Sequence, residues 1–326
     1  MRALSAAPPS PQAALRAWIA AHPAEFGLER AEADFPAWQA RLRERLLVLL
    51  GGRSEPRRPE LETGRPQPRD GYVLRRLTFC AEAGPARLSA WLLTPDPGRR
   101  RAGALLALHD EGRDELAGEP WPERGGAEAF GAALARRGQL VLAPDACSGG
   151  EQGAALAALL LGRPVAGQHL RDDLAALSLL RALAGSARLG VLGCGEGGRR
   201  ALLLAALDER VAVAAVSGYF TRLRDEIAAG DRLAAWDPAS ALPGLAALAD
   251  LPEVAACCAP RALCIDWGRA DGRYTPAAVE AGAAALAAAY AAQGASARLL
   301  LHAHAGGAAF GGVEVLDWLQ EQLARR

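Results

Sequence analysis

Acidic side chains stand directly after several short apolar runs of this sequence. His109, Asp110 and Glu111 follow one such run, Glu196 follows another, and Asp271 follows a third. If two of these carboxylates point into one pocket about 4 Å apart, they would repel by roughly 4 kcal/mol at an effective dielectric near 20, and one of them should be partly protonated at neutral pH. A protonated acid beside an ionised one forms a general acid and base pair. The alternative is that Asp110 and Glu111 face solvent and that Glu196 only caps a helix.

The apolar runs have the length and composition of strands, and they alternate with longer segments of helical periodicity. The predicted strands span 72–79, 88–93, 103–109, 140–143, 189–193, 211–216, 262–267 and 297–304. The predicted helices between the later strands span 127–137, 168–184, 197–207, 276–292 and 313–325. Repeated strand–helix units predict an α/β fold with a mostly parallel eight-stranded sheet, helices on both faces and an antiparallel edge formed by the first two strands. In such sheets ligands bind at the carboxyl ends of the strands.

The first 70 residues have a different pattern. Two helical patterns, at about 12–21 and 35–50, are followed by a segment rich in Arg, Pro, Glu and Gly over 51–70. We therefore predict an N-terminal helical appendage and linker over 1–70 and an α/β domain over 71–326.

Composition narrows the classes of partner. The chain has 326 residues, 51% of them hydrophobic, and its 37 basic and 37 acidic side chains balance. This balance argues against binding of nucleic acid or an anionic membrane by bulk charge. Six cysteines without zinc-site spacing or the density of a disulfide scaffold favour a cytoplasmic protein. No apolar run has the length of a membrane span. We also expect no cofactor.

A glycine-rich turn lies between the fifth predicted strand and the helix that follows it. The turn, Gly193-Cys-Gly-Glu-Gly-Gly198, has the strand–turn–helix context in which one side chain is presented above a sheet. Together with five further stretches, the chain resembles the α/β-hydrolase superfamily, in particular its dienelactone-hydrolase-like and acetyl-xylan-esterase-like group. The five stretches are Leu106–His109, Val141–Asp145, Leu204–Arg210, Val216–Phe220 and Ala259–Arg261. The resemblance extends from Trp38 to Trp318 and implies the α/β-hydrolase fold for residues 71–326.

The resemblance implies a nucleophile in the turn, a base after the last strand and an acid after the seventh strand. The matching positions hold Gly195, Ala308 and Asp271, so the nucleophile and the base are absent. A nucleophile position normally has a positive φ, which costs a residue other than glycine about 1 to 3 kcal/mol, and glycine relieves that strain. Asp271 is then either a remnant paired with a nearby arginine or a carboxylate with a new use.

Two other side chains are alternatives to the missing pair. Cys194 lies one residue before the turn position, where its side chain should point beneath the turn as a buried thiol. His304 lies upstream of Ala308, where it is either an ordinary strand-end histidine or a pocket residue brought in by a shifted loop.

The same fold implies a pocket above the carboxyl ends of the strands. We place Cys147, Tyr219 and Trp267 in its wall, together with Gly195, His304 and Ala308, and the alternative for Tyr219 and Trp267 is a place in the core. The backbone N–H groups of Glu196 and of the loop at His109–Gly112 would bind an oxyanion in this fold, but the acids there oppose a developing negative charge.

Three functions remain open on the sequence. The one we prefer is a non-hydrolytic enzyme that performs proton transfer, as in cyclisation, elimination, isomerisation or decarboxylation, on a small and largely apolar metabolite. The second is a protein without catalysis that binds a small molecule or a partner. The third is an ester or lactone hydrolase that uses Cys194 or a water activated by a carboxylate.

The sequence also gives expectations about activity, ligands and oligomeric state. Loss of a triad nucleophile or base typically costs about a millionfold in turnover, so we expect ester hydrolysis near background. We expect a small-molecule ligand, no nucleic acid and no membrane, and the resemblance is compatible with a homodimer. A divalent metal held by the pocket acids is a further alternative without a spaced motif to support it.

Overall fold

The strands of the protein join in one sheet, seen in a computed structural model that describes residues 10–31, 34–52, 61–80, 87–98, 103–109, 130–145, 152–230, 232, 236 and 240–325. Within these residues the strands are β1 (Glu62–Thr63), β2 (Gln67–Arg69), β3 (Tyr72–Cys80), β4 (Arg87–Pro95), β5 (Ala104–Leu108), β6 (Leu140–Pro144), β7 (Leu189–Cys194), β8 (Val211–Ser217), β9 (Ala262–Gly268) and β10 (Leu299–His304). The eight predicted strands correspond to β3 through β10. The two short strands β1 and β2 lie in the predicted linker and pair with β3, so the described part of the sheet has ten strands rather than eight.

The strand order across the sheet is β1-β3-β4-β6-β5-β7-β8-β9-β10, with β2 also paired to β3. Neighbours from β6 to β10 in this order are parallel, whereas β3 pairs with β4 and β4 pairs with β6 in antiparallel fashion. This arrangement confirms the predicted mostly parallel sheet with an antiparallel edge. Parallel strands end at the same edge, so the loops that follow β5, β7, β8, β9 and β10 come together there.

Helices cover both faces of the sheet, which explains why β5, β6 and β7 are buried along their whole length. The helices are α1 (Pro11–Ala21), α2 (Phe35–Leu49), α3 (Phe130–Arg136), α4 (Gln152–Leu160), α5 (Val165–Ala184), α6 (Glu196–Leu207), α7 (Leu223–Ala229), α8 (Leu245–Leu248), α9 (Leu251–Ala256), α10 (Pro276–Ala292) and α11 (Val313–Ala324). Residues of α3 and α11 pack on one face, and residues of α2, α5, α6, α9 and α10 pack on the other.

The two N-terminal helices differ in how they pack. None of the residues of α1 is buried. By contrast, α2 buries Trp38, Leu42 and Leu46 in the same core as α5 and α6. The predicted appendage therefore contributes part of the main hydrophobic core. Among the described residues, no helix combines the length and the apolar character that a membrane span requires.

Candidate functional site

The turn between β7 and α6 consists of Gly195 alone. Its backbone has φ 57° and ψ −120°, a conformation that side chains rarely adopt, and its N–H donates to the Ser217 carbonyl oxygen at 2.9 Å. The sharp turn predicted from the sequence is thus present, with the positive φ that was expected of the nucleophile position. Because the residue is glycine, the turn presents no side chain to a ligand.

The neighbouring glycines are required by close backbone contacts. A Cβ atom on Gly193 would lie 1.9 Å from the Gly197 carbonyl oxygen. A Cβ atom on Gly197 would lie 2.1 Å from the Leu108 carbonyl oxygen, which belongs to the adjacent strand β5. These contacts press the first turn of α6 against the ends of β5 and β7, so the turn keeps its geometry without a nucleophile.

The positions matched to the nucleophile, the base and the acid come together at the carboxyl edge of the sheet. The position that a Cβ atom on Gly218 would occupy serves as a common reference point for the three positions. It lies 3.8 Å from the Gly195 nitrogen, 3.9 Å from the Ala308 carbonyl oxygen and 2.9 Å from Nη2 of Arg273. Arg273 in turn binds Asp271. The site therefore has the convergence expected from the resemblance, but neither Gly195 nor Ala308 has a side chain that can transfer a proton.

An ion pair occupies the acid position of this site. The Arg273 guanidinium donates from Nη2 to Asp271 Oδ2 at 2.8 Å and to the Gly218 carbonyl oxygen at 3.1 Å. The Arg273 backbone N–H also donates to Asp271 Oδ1 at 3.0 Å. Of the two alternatives for Asp271, pairing with an arginine is the one that the structure shows.

Glu196 is buried at the first position of α6 and is fully engaged. Its Oε1 accepts a hydrogen bond from Nε of Arg199 at 2.7 Å and lies 3.4 Å from Nδ1 of His169. Its Oε2 accepts from the hydroxyl of Ser240 at 2.8 Å. Burial favours the protonated form, but the Arg199 charge and the hydrogen bonds from His169 and Arg199 outweigh it and lower the pKa of Glu196 to about 2.

In this environment Glu196 would be the ionised member of an acid and base pair rather than the protonated one, and its catalytic role stays a prediction. A carboxyl group with a pKa of about 2 is ionised at neutral pH and has no proton to give. Its buried arginine partner, which the acid-based prediction did not include, is the physical reason. The alternative that Glu196 only caps its helix leaves out these contacts, since the side chain is 7% exposed and bonded to Arg199 and Ser240.

The loop after β5 is described only in part. His109 is buried at the end of that strand, and its carbonyl oxygen lies 2.6 Å from the position of a Cβ atom on Gly197. Asp110, Glu111 and Cys147 lie outside the described residues, so their predicted roles stay predictions.

A cavity of about 340 Å³ lies beside α6, and we refer to it as the α6 cavity. Its walls are mainly apolar side chains from α6, α7, α8 and the start of α9, including Leu202, Leu203, Leu223, Ile227, Leu245 and Leu251. Arg199, Tyr219, Trp236 and Ser240 contribute the side chains with polar atoms. Burial raises the pKa of the Tyr219 phenol well above its ordinary value, so that group stays protonated.

Tyr219 is the predicted pocket residue that lines the α6 cavity. Trp267 instead lines a cleft of about 70 Å³ together with Asp271 and Tyr274. Gly195 and Ala308 lie at the neighbouring triad position and do not line the α6 cavity. The α6 cavity is thus distinct from the position matched to the triad, and part of its wall comes from α7 and α8, which the sequence did not predict.

Cys194 and His304 are not placed for catalysis in the α6 cavity. Cys194 is buried in the core on the α3 and α11 face, since alternate strand residues point to opposite faces. His304 ends β10, where its Nδ1 accepts from the Gly306 N–H at 3.1 Å and its Nε2 lies 3.9 Å from Asp266 Oδ1. The burial of Cys194 fits the expected buried thiol, and the use of either residue as a triad substitute stays a prediction.

A buried carboxylate on β9 escaped the sequence reasoning. Asp266 Oδ1 lies 2.7 Å from Nδ1 of His302, and Oδ2 accepts from the Ser217 hydroxyl at 2.6 Å and the Gly311 N–H at 2.8 Å. Ser217, Asp266 and His302 are register partners across β8, β9 and β10. A polar residue near the end of each of three apolar strands was the available signal. In the part of the chain that the structure describes, no cluster of His, Cys, Asp or Glu side chains has the arrangement of a metal site.

Solved structures with a similar fold include several proteins named as esterases. A proposed acetyl xylan esterase of Bacteroides fragilis superposes with a TM-score of 0.73 at 17% identity, over 93% of this chain and 84% of that protein. A glucuronoyl esterase of Solibacter usitatus superposes with a TM-score of 0.66 at 14% identity, over 93% and 96% of the two chains. A glucuronoyl esterase of Teredinibacter turnerae gives a TM-score of 0.63 at 14% identity, over 90% and 85%.

These similarities establish the fold. The chain has the α/β-hydrolase fold over nearly its whole length, which confirms the resemblance drawn from its sequence. No protein-family model and no curated protein sequence matches the chain.

Proposed function

We propose that the protein binds a small, uncharged and largely apolar molecule in the α6 cavity and does not hydrolyse esters. This is the second of the three functions left open by the sequence. The α6 cavity carries the proposal, because its walls are mostly leucine and isoleucine and no carboxylate of the described residues lines it. A volume of about 340 Å³ falls at the small end of the range of ligand pockets, about 300 to 1,000 Å³.

Charge balance at the end of the cavity favours an uncharged ligand. Arg199 is the charged residue of the cavity wall, and Glu196 lies against it with Nε and Oε1 2.7 Å apart. The pair is net neutral, so an ionised ligand would lose its hydration without finding a free opposite charge. For an apolar molecule, transfer from water into such a cavity is favourable.

Polar atoms in the wall can orient the ligand. The Tyr219 phenol keeps its proton and can donate a hydrogen bond. Ser240 donates its own proton to Glu196, which leaves its oxygen as an acceptor. A hydroxyl or carbonyl group on an otherwise apolar molecule suits this combination.

The triad position supports binding without acyl transfer. The esterase neighbours share the fold, but Gly195 and Ala308 supply no nucleophile and no base here. Glu196 is ionised and bonded to Arg199, so it is not available as the protonated member of an acid and base pair. The proposal therefore places the ligand in the α6 cavity and assigns no reaction to the position of Gly195 and Ala308.

Binding of N-phenyl-1-naphthylamine, an uncharged apolar probe whose fluorescence rises in apolar surroundings, tests this proposal. We expect saturable binding by the unaltered protein and much weaker binding by Ala246→Phe, which fills the cavity wall. The matched control is Ala247→Phe, whose side chain is exposed and outside the wall, and it should bind like the unaltered protein.

A second arm measures hydrolysis of activated acyl esters and lactones. We expect rates at the level of a no-enzyme control. Hydrolysis well above that level, or probe binding that Ala246→Phe leaves unchanged, would overturn the proposal.

A further inference from the structure

Three arginines stand at the amino edge of the sheet, opposite the α6 cavity. Arg188, Arg261 and Arg298 each directly precede a strand, namely β7, β9 and β10. Parallel strands begin at the same edge, so the three side chains come together there. They line an open groove of about 490 Å³ with Glu209 and Gln293, and we refer to it as the arginine groove.

Within the described ranges, no carboxylate forms an ion pair with Arg188, Arg261 or Arg298. Arg261 donates to four backbone carbonyl oxygens, those of Ala205, Asp208, Val211 and Cys257. Arg188 donates to the carbonyl oxygens of Gln322 and Arg325. These carbonyl partners are neutral, so they hold both side chains in place without neutralising their charges, as far as the described part of the chain extends.

Arg298 is the group best placed to contact a ligand. Within the described residues it makes no hydrogen bond through its side chain and no ion pair, and it is partly exposed. The side chain of Gln293 is likewise partly exposed in the groove and brings an amide donor. The groove thus contains two arginines held in place by backbone carbonyl oxygens, together with the side chains of Arg298 and Gln293, which can donate hydrogen bonds to a ligand.

Glu209, the acidic residue that lines the arginine groove, does not neutralise the charge of the three arginines. Glu209 Oε1 lies 2.8 Å from Nη1 of Arg43, which balances its charge outside the arginine trio. Burial and then the neighbouring Arg298 charge lower the pKa of Arg188, as expected when like charges share a groove. A bound anion would relieve that repulsion.

We propose that the arginine groove binds a small anion with more than one phosphate group. Neighbouring strands are about 4.8 Å apart, so arginines on β7, β9 and β10 present charge over a width greater than one phosphate. Guanidinium groups match phosphate oxygens in geometry and hold them through charge-assisted hydrogen bonds. The site is independent of the α6 cavity and its ligand.

Isothermal titration with pyrophosphate and with orthophosphate, at low ionic strength, tests this site. We expect saturable pyrophosphate binding that weakens as salt is added, and weaker binding of orthophosphate because it meets fewer of the charges. Arg298→Gln should weaken pyrophosphate binding about tenfold or more, as for loss of a hydrogen bond between charged groups. Arg298→Lys should recover part of the loss because it keeps the charge.

The matched control is Arg41→Gln, on the exposed surface of α2, which should bind pyrophosphate like the unaltered protein. Circular dichroism and thermal melting establish that each variant is folded. Absence of pyrophosphate binding at millimolar concentration, equal binding of orthophosphate, or equal losses in Arg298→Gln and Arg41→Gln would overturn the proposal.

Discussion

Arg273 holds Asp271 at the position where a hydrolase of this fold needs a free acid to orient its histidine. The guanidinium donates to both carboxylate oxygens and also reaches the Gly218 carbonyl oxygen at 3.1 Å. Nη2 of the same guanidinium, the Gly195 nitrogen and the Ala308 carbonyl oxygen all lie within 4 Å of the Cβ position built on Gly218, so the three residues share one region of the sheet edge. The carboxylate at the position matched to the triad acid is therefore engaged by an arginine.

Restoring two triad residues should not restore hydrolysis while Arg273 stays in place. We expect Gly195→Ser with Ala308→His to remain at background toward activated esters, since Asp271 stays paired. Adding Arg273→Ala should raise the rate by about a hundredfold, the lower range for a positioned general base. Initial rates with p-nitrophenyl acetate provide the measurement.

The control for that series replaces the new serine with alanine, as Gly195→Ala with Ala308→His and Arg273→Ala. This variant should stay at background because it lacks the nucleophile. A folded triple variant with serine that shows no gain would contradict the assignment of these positions.

Substitution of the elbow glycines should destabilise the fold for two separate reasons. Gly195→Ala places a side chain at φ 57° and should lower the free energy of unfolding by about 1 to 3 kcal/mol. Gly197→Ala places a Cβ atom 2.1 Å from the Leu108 carbonyl oxygen and should be more damaging, because the strand cannot move away cheaply.

Gly272→Ala is the matched comparison for both glycines, since nothing lies within 4 Å of its Cβ position. Urea denaturation of the three variants should place it near the unaltered protein. An equal loss of stability in Gly272→Ala would show that the elbow geometry is not responsible.

Glu196 should stabilise the protein above acidic pH. Its pKa is about 2 in the folded chain and 4.5 ordinarily, so its contribution is present above about pH 4.5 and is lost as the pH falls through 2. We expect Glu196→Gln to cost about 3 kcal/mol at pH 7, with a smaller difference from the unaltered protein as the pH approaches 2. Denaturation curves at several pH values measure this, with the exposed Glu44→Gln as a control that should change little. A pH-independent difference would contradict the assignment.

Asp172 should have the opposite effect. Burial and then the neighbouring Asp173 carboxylate raise the pKa of Asp172 from 3.8 to about 6. The stabilising effect of its bound proton is fully present below about pH 3.8 and is lost as the pH rises through 6. Asp172→Asn, which can still accept the hydrogen bond from Gln168, should therefore gain up to about 3 kcal/mol at pH 7 and nothing at pH 3.5. Lower stability of Asp172→Asn at pH 7 would show that the ionised carboxylate is needed.

Local patterns in the sequence were sufficient for the framework of the protein. Apolar runs of strand length predicted β3 through β10, and the glycines around Gly195 predicted a tight turn, for which the family resemblance implied a positive φ. The absence of a nucleophile and a base at Gly195 and Ala308 could also be predicted, because it depends only on residue identity in a recognisable context. By contrast, α7 and α8 are too short to show a clear helical period, so the walls they contribute to the α6 cavity were missed.

Side-chain direction and burial were decided by the tertiary structure. Arg199 lies three residues after Glu196, but only the packing of α5 against α6 buries this pair beside His169 and keeps the carboxylate ionised. Asp266 and His302 are 36 residues apart and become neighbours because β9 and β10 pair in register. A sequence specifies local conformation through short-range sterics and periodicity. The charge state of a buried group depends on which distant residues the fold brings against it.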